Sequence, residues 1–229
     1  MLSAVGQEYL EAIYNITLEG DPVVNARLAD KFGVSPPSVT EMLHRLERDG
    51  YVVLDRTTGA RLTDRGVEVA EDSLRRHRLA ERFLADILKM DWIAAHEEAQ
   101  ALQSALTPAI EARIVAQLDN PTTCPHGNPI PGSAPGAKDF LRAHLAVRLS
   151  RAEAKTALRV LCISEVVEDE TSLLRSVGEK GFRPGVDVVV QEVTSIDDAS
   201  ITVDIAGKPV SVTRSLAEKI WVCPPDQMT

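Results

Sequence analysis

The chain has 229 residues and a net charge of −9, and 44% of its residues are hydrophobic, which is typical of a globular protein with one large domain or two to three small ones. It has no apolar run of about 18 residues and no signal peptide, since the first 20 residues mix acidic with apolar side chains, so we expect a soluble, cytoplasmic protein. The negative charge excludes a protein that coats nucleic acid by charge alone, because non-specific affinity comes from Lys and Arg on phosphates.

The first 63 residues predict three helices followed by a hairpin. Helical spacing of apolar residues predicts helices at 2–16 and 24–32, and Ser35 can cap a third helix that continues to Gly50. Residues 51–54 and 60–63 predict the two strands of the hairpin. This order is that of a winged helix-turn-helix domain, although any small helical domain could share it.

The second half of the chain predicts helices, a loop and then short strands. Long helices are expected at 64–90 and 93–118, and a Pro- and Gly-rich loop at 120–136. After a tether at 137–150, apolar residues alternate in short runs, which predicts a small β-barrel of about five strands at 151–224. The expected fold class is therefore α+β and mostly α.

His77, Glu81 and His96 form the first candidate metal site. His77 and Glu81 stand one helical turn apart, and an antiparallel return of the chain would bring His96 close to them. Two imidazoles and a carboxylate suit a divalent cation. The stretch RRHRLAERF could equally be a solvated, salt-bridged helix face, and the catalytic zinc motif HExxH is absent.

Glu8 and Glu11 form a second candidate pair on the first helix. They are neighbours on its surface and repel each other mildly without a cation. Gln100, Gln103 and Ser104 lie on one face of the helix that follows His96, where such residues are usually polar surface. Taken alone, these residues favour ordinary exposed side chains.

Five motifs in order are similar to a known family. They are SPPSVTEMLHRLERDGYV, LTDRG, RRHRLAERFL, the HEEA that begins at His96, and CPHGNPIPG. Together they resemble the diphtheria toxin repressor family, which includes iron-dependent and manganese-dependent repressors. The similarity covers residues 1–132, and residues 158–222 resemble the family's SH3-like barrel more weakly.

The resemblance implies a homodimer that is not an enzyme. Its domains would be a winged-helix head at 1–72, a metal-binding and dimerisation domain at 73–136, the tether at 137–150 and the barrel at 151–224. With divalent metal bound, the two heads would bind a palindromic double-stranded operator and control metal homeostasis genes.

The same resemblance assigns roles to single residues of the first metal site. His77, Glu81 and His96 match family ligands, and Glu170 matches a further ligand from the barrel. Leu173 stands where the family has Gln. The positions around an anion that accompanies this site are Arg78, Cys124 and Asn128.

At the second family site the sequence departs from the pattern. Glu8 and Glu11 match the manganese type, but Gln100, Gln103 and Ser104 replace the usual Cys or Glu, Glu and His. A site of Glu8, Glu11 and Gln100 would be all oxygen, which suits Mn²⁺, with Fe²⁺ as the alternative. Such a site is weak or lost.

Further residues are expected to contact DNA. Those nearest the bases are Ser35, Pro37, Ser38, Thr40 and Glu41, and those nearest phosphates are Arg27, Arg45, Arg56 and Arg61.

Three alternatives stay open. A winged-helix regulator could bind DNA without metal control, and a metal-dependent hydrolase could use His77, Glu81 and His96, although no nucleophile motif is present. An iron-uptake accessory protein built on the barrel would leave the first half of the chain unexplained.

Overall fold

The computed structural model describes residues 2–55, 57, 59–133, 136–193 and 200–227. Its α-helices are α1 (Ala4–Leu18), α2 (Asn25–Phe32), α3 (Pro36–Arg48), α4 (Asp64–Arg82), α5 (Trp92–Ala105), α6 (Pro108–Gln117), α7 (Phe140–Ala143), α8 (Glu170–Glu179) and α9 (Arg214–Ala217). Its strands are β1 (Val52–Asp55), β2 (Gly59–Leu62), β3 (Val147–Arg148), β4 (Ala157–Ile163), β5 (Asp187–Val193), β6 (Ser200–Ile205), β7 (Lys208–Thr213) and β8 (Ile220–Cys223). No helix of this part of the chain has the length and apolar character that crossing a membrane requires.

The head consists of α1 to α3 and the antiparallel hairpin β1–β2, as expected for a winged helix. Ser35 caps α3 by accepting a hydrogen bond from the Ser38 amide, and this fixes where the exposed third helix begins. The wing is held against the head at Gly59, which has a φ of +80° and lies so close to Val23 that a Cβ would approach the Val23 carbonyl oxygen to 2.0 Å. Only glycine allows that contact.

The helical domain differs from the prediction at both of its long helices. The helix expected at 64–90 ends at Arg82, followed by a π-helical turn at Phe83–Ile87. The prediction of a single helix at 93–118 was wrong, because α5 ends at Ala105 and a separate helix, α6, begins at Pro108. Pro108 has no N–H to continue the ladder of α5, while the Thr107 side chain caps the new helix.

The C-terminal domain is an antiparallel sheet with strand order β3-β8-β4-β5-β6-β7 within the described residues. About five strands were expected, and the additional one, β3, lies in the segment predicted as tether and pairs with β8. Side chains that alternate along β4, β5 and β6 form the barrel core with Phe182. The barrel also contacts the head directly, because Val166, which follows β4, is buried in the head's apolar core.

Candidate metal centre

Helices α4 and α5 and the loop after α6 bring the candidate ligands together. His77 and Glu81 lie one turn apart on α4, and α5 packs on α4 so that His96 reaches the same point. The loop adds His126, which the sequence analysis did not single out. Its turn requires Gly127, at a φ of +86°, because a Cβ there would lie 2.1 Å from the Leu161 carbonyl oxygen on β4.

Glu81 is the centre of this cluster. One carboxylate oxygen, Oε1, lies 2.9 Å from His96 Nδ1, 3.3 Å from His77 Nε2 and 3.3 Å from His126 Nδ1. The side chain is only 1% exposed, and the other oxygen, Oε2, is buried with no hydrogen-bond partner. Because an unpaired buried carboxylate oxygen is costly, the residues fit a divalent cation that would supply the missing partner.

The pKa shifts of Glu81 and His77 indicate that positive charge stabilises the buried Glu81 carboxylate. Burial raises the pKa of Glu81, but the imidazoles of His126 and His77 outweigh it and hold that pKa well below its usual range. Burial lowers the pKa of His77, yet the Glu81 carboxylate raises it to about 9 overall. Protons on imidazoles thus balance the Glu81 charge, and a metal ion must displace them.

A second trio shares Glu81 with the first. Ligand atoms of Glu81, Cys124 and His126 lie within 4.8 Å of one another, as do those of His77, Glu81 and His96. Cys124 Sγ is 3.8 Å from His126 Nδ1, and burial raises the pKa of this thiol well above its ordinary value. The Cys-x-His spacing within CPHG was the signal that could have pointed to this trio.

The barrel approaches the cluster through the first turn of α8. Glu170 Oε2 lies 3.5 Å from His96 Nε2, and its other oxygen pairs with Lys31 of α2. Leu173, on the same helix, packs on the barrel core instead. The described barrel residues therefore present a carboxylate, from Glu170, to His96.

Comparisons with known proteins agree with this architecture. Residues 1–60 match the N-terminal DNA-binding domain of iron-dependent repressors, residues 63–132 their metal-binding and dimerisation domain, and residues 147–224 the FeoA domain. The iron-dependent repressor IdeR of Mycobacterium tuberculosis is 33% identical over 224 residues, covering 93% of this chain and 94% of that protein. The chain belongs to the diphtheria toxin repressor family.

Members of this family are metal-dependent, DNA-binding transcriptional regulators. The diphtheria toxin repressor of Corynebacterium diphtheriae is 32% identical over 218 residues, covering 93% of this chain and 94% of that protein. A solved manganese-dependent transcriptional repressor in complex with manganese is 30% identical, with a TM-score of 0.77 over 96% of this chain and 99% of its own. The repressor ScaR with bound Zn²⁺ has a TM-score of 0.79 at 26% identity, over 96% of this chain and 99% of its own.

The residues of the second candidate site line an open groove rather than a buried cluster. Glu8 and Gln100 are exposed and Glu11 is half-buried, and all three line a groove that His77 and His96 share. Within the described residues, no cluster of three His, Cys, Asp or Glu ligands includes Glu8 or Glu11. Burial raises the pKa of Glu11, against the Ser73 hydrogen bond and the nearby His77, which lower it.

Two departures from the family pattern have different environments. Gln103 is buried, accepts a hydrogen bond from His77 Nδ1 at 3.1 Å and donates one to Ser73 Oγ at 2.8 Å. Ser104 is exposed and bonds only to the Gln100 carbonyl among the described contacts. Gln103 therefore orients His77, with Nε2 directed toward Glu81.

The predicted anion positions have a partner within the chain. Arg78 and Asn128 both contact the carboxylate of Glu165, which follows β4. Cys124 faces His126 instead.

Most of the predicted DNA contacts are exposed side chains of the head. The exposed residues are Ser35, Pro37, Ser38, Thr40, Glu41, Arg45 and Arg61. Arg27 is half-buried and pairs with Asp21 at 2.5 Å, which leaves its charge partly balanced. Arg56 lies outside the described residues.

Proposed function

We propose that this protein is a Mn²⁺-responsive regulator, with Fe²⁺ as the alternative metal, that binds a palindromic double-stranded operator as a homodimer and controls metal homeostasis genes. The observation that carries the proposal is the buried carboxylate of Glu81, with Oε2 unpartnered and three imidazoles around Oε1. The same buried cluster joins the helical domain to the loop and barrel.

The ligands that we propose come from three parts of the chain. His77, Glu81 and His96 hold the metal from α4 and α5, Cys124 and His126 from the loop, and Glu170 from the barrel. When bound, the divalent cation supplies the charge that protonated imidazoles otherwise supply. Two contacts of the chain position these ligands. Gln103 orients His77, and α8 holds Glu170 beside His96.

The choice between Mn²⁺ and Fe²⁺ depends on two groups of residues that favour different metals. The helix-one residues Glu8 and Glu11, with Gln100, offer only oxygen, which supports Mn²⁺ and a second, weaker ion. The thiol of Cys124 beside Glu81 supports a softer metal such as Fe²⁺. We therefore expect Cys124→Ser to lower the affinity for Fe²⁺ more than that for Mn²⁺, as measured by parallel titrations under anaerobic conditions.

A second copy of the chain is proposed to cover an apolar groove between α5 and α6. Its lining includes Leu102, Leu106, Ile110 and Ile114, and Ile110 is 45% exposed. Such a surface favours association over solvent. Sedimentation should give a dimer without added metal. Ile110→Glu should shift it toward monomer, while Arg76→Glu, at a half-buried position of α4 that does not line the groove, should not.

DNA binding is proposed to depend on α3, whose exposed residues face away from the head core. With metal bound, both α3 helices of the dimer would match successive major grooves, about 34 to 36 Å apart. Since the chain carries a net charge of −9, a second ion at Glu8 and Glu11 would also reduce repulsion from phosphates.

The deciding experiment is operator binding measured before and after dialysis against a chelator. Operators are obtained by selection from a random DNA pool in the presence of Mn²⁺. We expect binding to be lost with the chelator and restored by Mn²⁺ but not by Ca²⁺. Binding that is unchanged by the chelator would support a regulator without metal control instead.

A further inference from the structure

One carboxylate, that of Glu165, is the meeting point of the head, the helical domain and the barrel. Its Oε2 accepts from Arg78 Nη2 of α4 at 2.6 Å and from Asn15 Nδ2 of α1 at 2.9 Å. Its Oε1 accepts from Asn128 Nδ2 of the loop at 2.8 Å and from Arg78 Nε at 3.3 Å. Both oxygens are therefore used by donors of the protein itself.

Arg78 is buried so deeply that it needs this partner. Its side chain is 2% exposed, and its remaining bonds go to neutral acceptors, the Pro129 carbonyl at 2.6 Å and Asn15 Oδ1 at 3.0 Å. The ion pair with Glu165 balances its charge. Removing one partner of a buried pair is strongly destabilising, because the other charge stays buried.

The backbone around Glu165 is fastened to the head as well. Lys31 Nζ of α2 donates to the Glu165 carbonyl at 2.9 Å. The next residue, Val166, is 6% exposed within the head's apolar core, and Lys219 of the barrel donates to its carbonyl at 2.8 Å. The segment that carries Glu165 thus cannot leave the head without breaking apolar and polar contacts together.

We propose that Glu165 is a built-in anion that fixes the head, the helical domain and the barrel in one arrangement. Its role is positioning: it holds Arg78, which follows His77, and Asn128, two residues after His126, in place together with Asn15. Glu165 differs in this from Glu81, whose Oε2 has no partner. The proposal goes beyond the proposed function, because the joint itself is measured without metal or DNA.

The test uses the full chain with Glu165→Ala, which leaves a hole of carboxylate size lined by three donor side chains. Hydrogen–deuterium exchange is measured at residues 13–18 and 163–167, which flank the joint. We expect exchange there to be at least about tenfold faster than in wild type, as a lost charge-assisted hydrogen-bond network requires. Val160, whose amide bonds to the Val186 carbonyl inside the barrel, reports on global folding and should be unchanged.

Chemical rescue separates an anion site from a general loss of packing. Formate or acetate at about 0.1 M should restore the slow exchange of Glu165→Ala, because an anion that fills the hole stabilises the folded state by mass action. Chloride at the same ionic strength should not, and neither salt should change the wild type. Glu168→Ala is the matched control, since it removes an exposed carboxylate from the same segment and should behave as wild type.

A second variant keeps the test decisive if Glu165→Ala does not fold. Glu165→Gln fills the same space but turns an amide N–H toward the Asn or Arg donors, so exchange at the joint should still accelerate and formate should have no effect. Wild-type exchange in both variants would overturn the proposal, as would acceleration in Glu165→Ala that formate and acetate leave unchanged. Loss of Mn²⁺ binding with wild-type exchange would instead make Glu165 a metal ligand.

Discussion

The imidazole cluster around Glu81 and the carboxylates of helix one differ in how many elements support them. Glu81 is 1% exposed and meets side chains from α4, α5 and the loop. Glu8 is exposed, and Glu11 faces an open groove. A carboxylate is thus a better candidate ligand where separate elements converge on it and exclude water, because an oxygen buried there is left without a hydrogen-bond partner.

The largest effect is expected from removing an imidazole of the cluster. His96→Ala should lower the Mn²⁺ affinity by about a hundredfold or more, beyond what losing an outer-shell partner costs, and abolish metal-stimulated operator binding. Titration calorimetry and DNA-binding anisotropy measure the two effects. His77→Ala should behave alike.

The control for this change is His44→Ala, an exposed histidine on α3, with metal affinity measured in the absence of DNA. The thermal midpoint of each variant checks that the fold persists. If His77→Ala and His96→Ala both respond to metal as wild type does, the metal centre lies elsewhere.

Gln103 offers a way to sharpen the comparison, because it stands at a second-site position yet contacts His77 of the first. Gln103→Leu removes the acceptor that orients the imidazole, so the Mn²⁺ affinity should fall by about 10- to 100-fold. Ser104→Ala, one residue further on and exposed, should leave it unchanged. Equal Mn²⁺ affinities for the two variants would show that Gln103 does not support metal binding.

Glu19 is a buried carboxylate that, unlike Glu81, has partners within the chain for both oxygens, and it tests how burial changes the pKa and the pH dependence of stability. Glu19 is 8% exposed and pairs with Arg148 at 3.1 Å. Burial, opposed by the Ser164 hydroxyl and Arg148, raises its pKa from 4.5 to about 6. Because the folded protein then binds the proton more tightly, the contribution to stability is complete below pH 4.5 and is lost as the pH rises through about 6.

The total contribution corresponds to about 2 kcal/mol, of which about 1 kcal/mol is lost between roughly pH 5 and 7.5. Urea unfolding of the metal-free protein at the two pH values should show this loss relative to Glu19→Gln. A difference between the proteins that does not change with pH would contradict the raised pKa.

The smallest effect is expected from helix one. The double variant Glu8→Gln, Glu11→Gln removes a repulsion of a few tenths of a kcal/mol, somewhat more where Glu11 is half-buried. We expect the midpoint of the Mn²⁺ titration for operator binding to move by about two- to fivefold. A shift as large as that of His96→Ala would mean that helix one contributes as much to metal binding as the Glu81 cluster. An unmoved midpoint would exclude a regulatory metal on helix one.

The fold was largely predictable because its patterns are local. Helical spacing marked α1 to α3, Ser35 marked the start of α3 as its cap, and alternation marked β4 to β6. The break between α5 and α6 was missed, since apolar residues continue on both sides of Pro108. Strand β3 was missed because Val147 and Arg148 are too short a run to show alternation.

By itself, the sequence determined the winged-helix order, the barrel, the family, and the pair of residues on α4, since each depends on neighbours in the chain. Only the tertiary structure decided that His126 and Cys124 join Glu81, that Gln103 supports His77, and that Glu165 pairs with Arg78. Glu165 lies 87 residues from Arg78 in sequence, and no local pattern encodes such a distance. The partners are chosen by packing, because burying a charge is tolerable only where the fold brings an opposite charge to it.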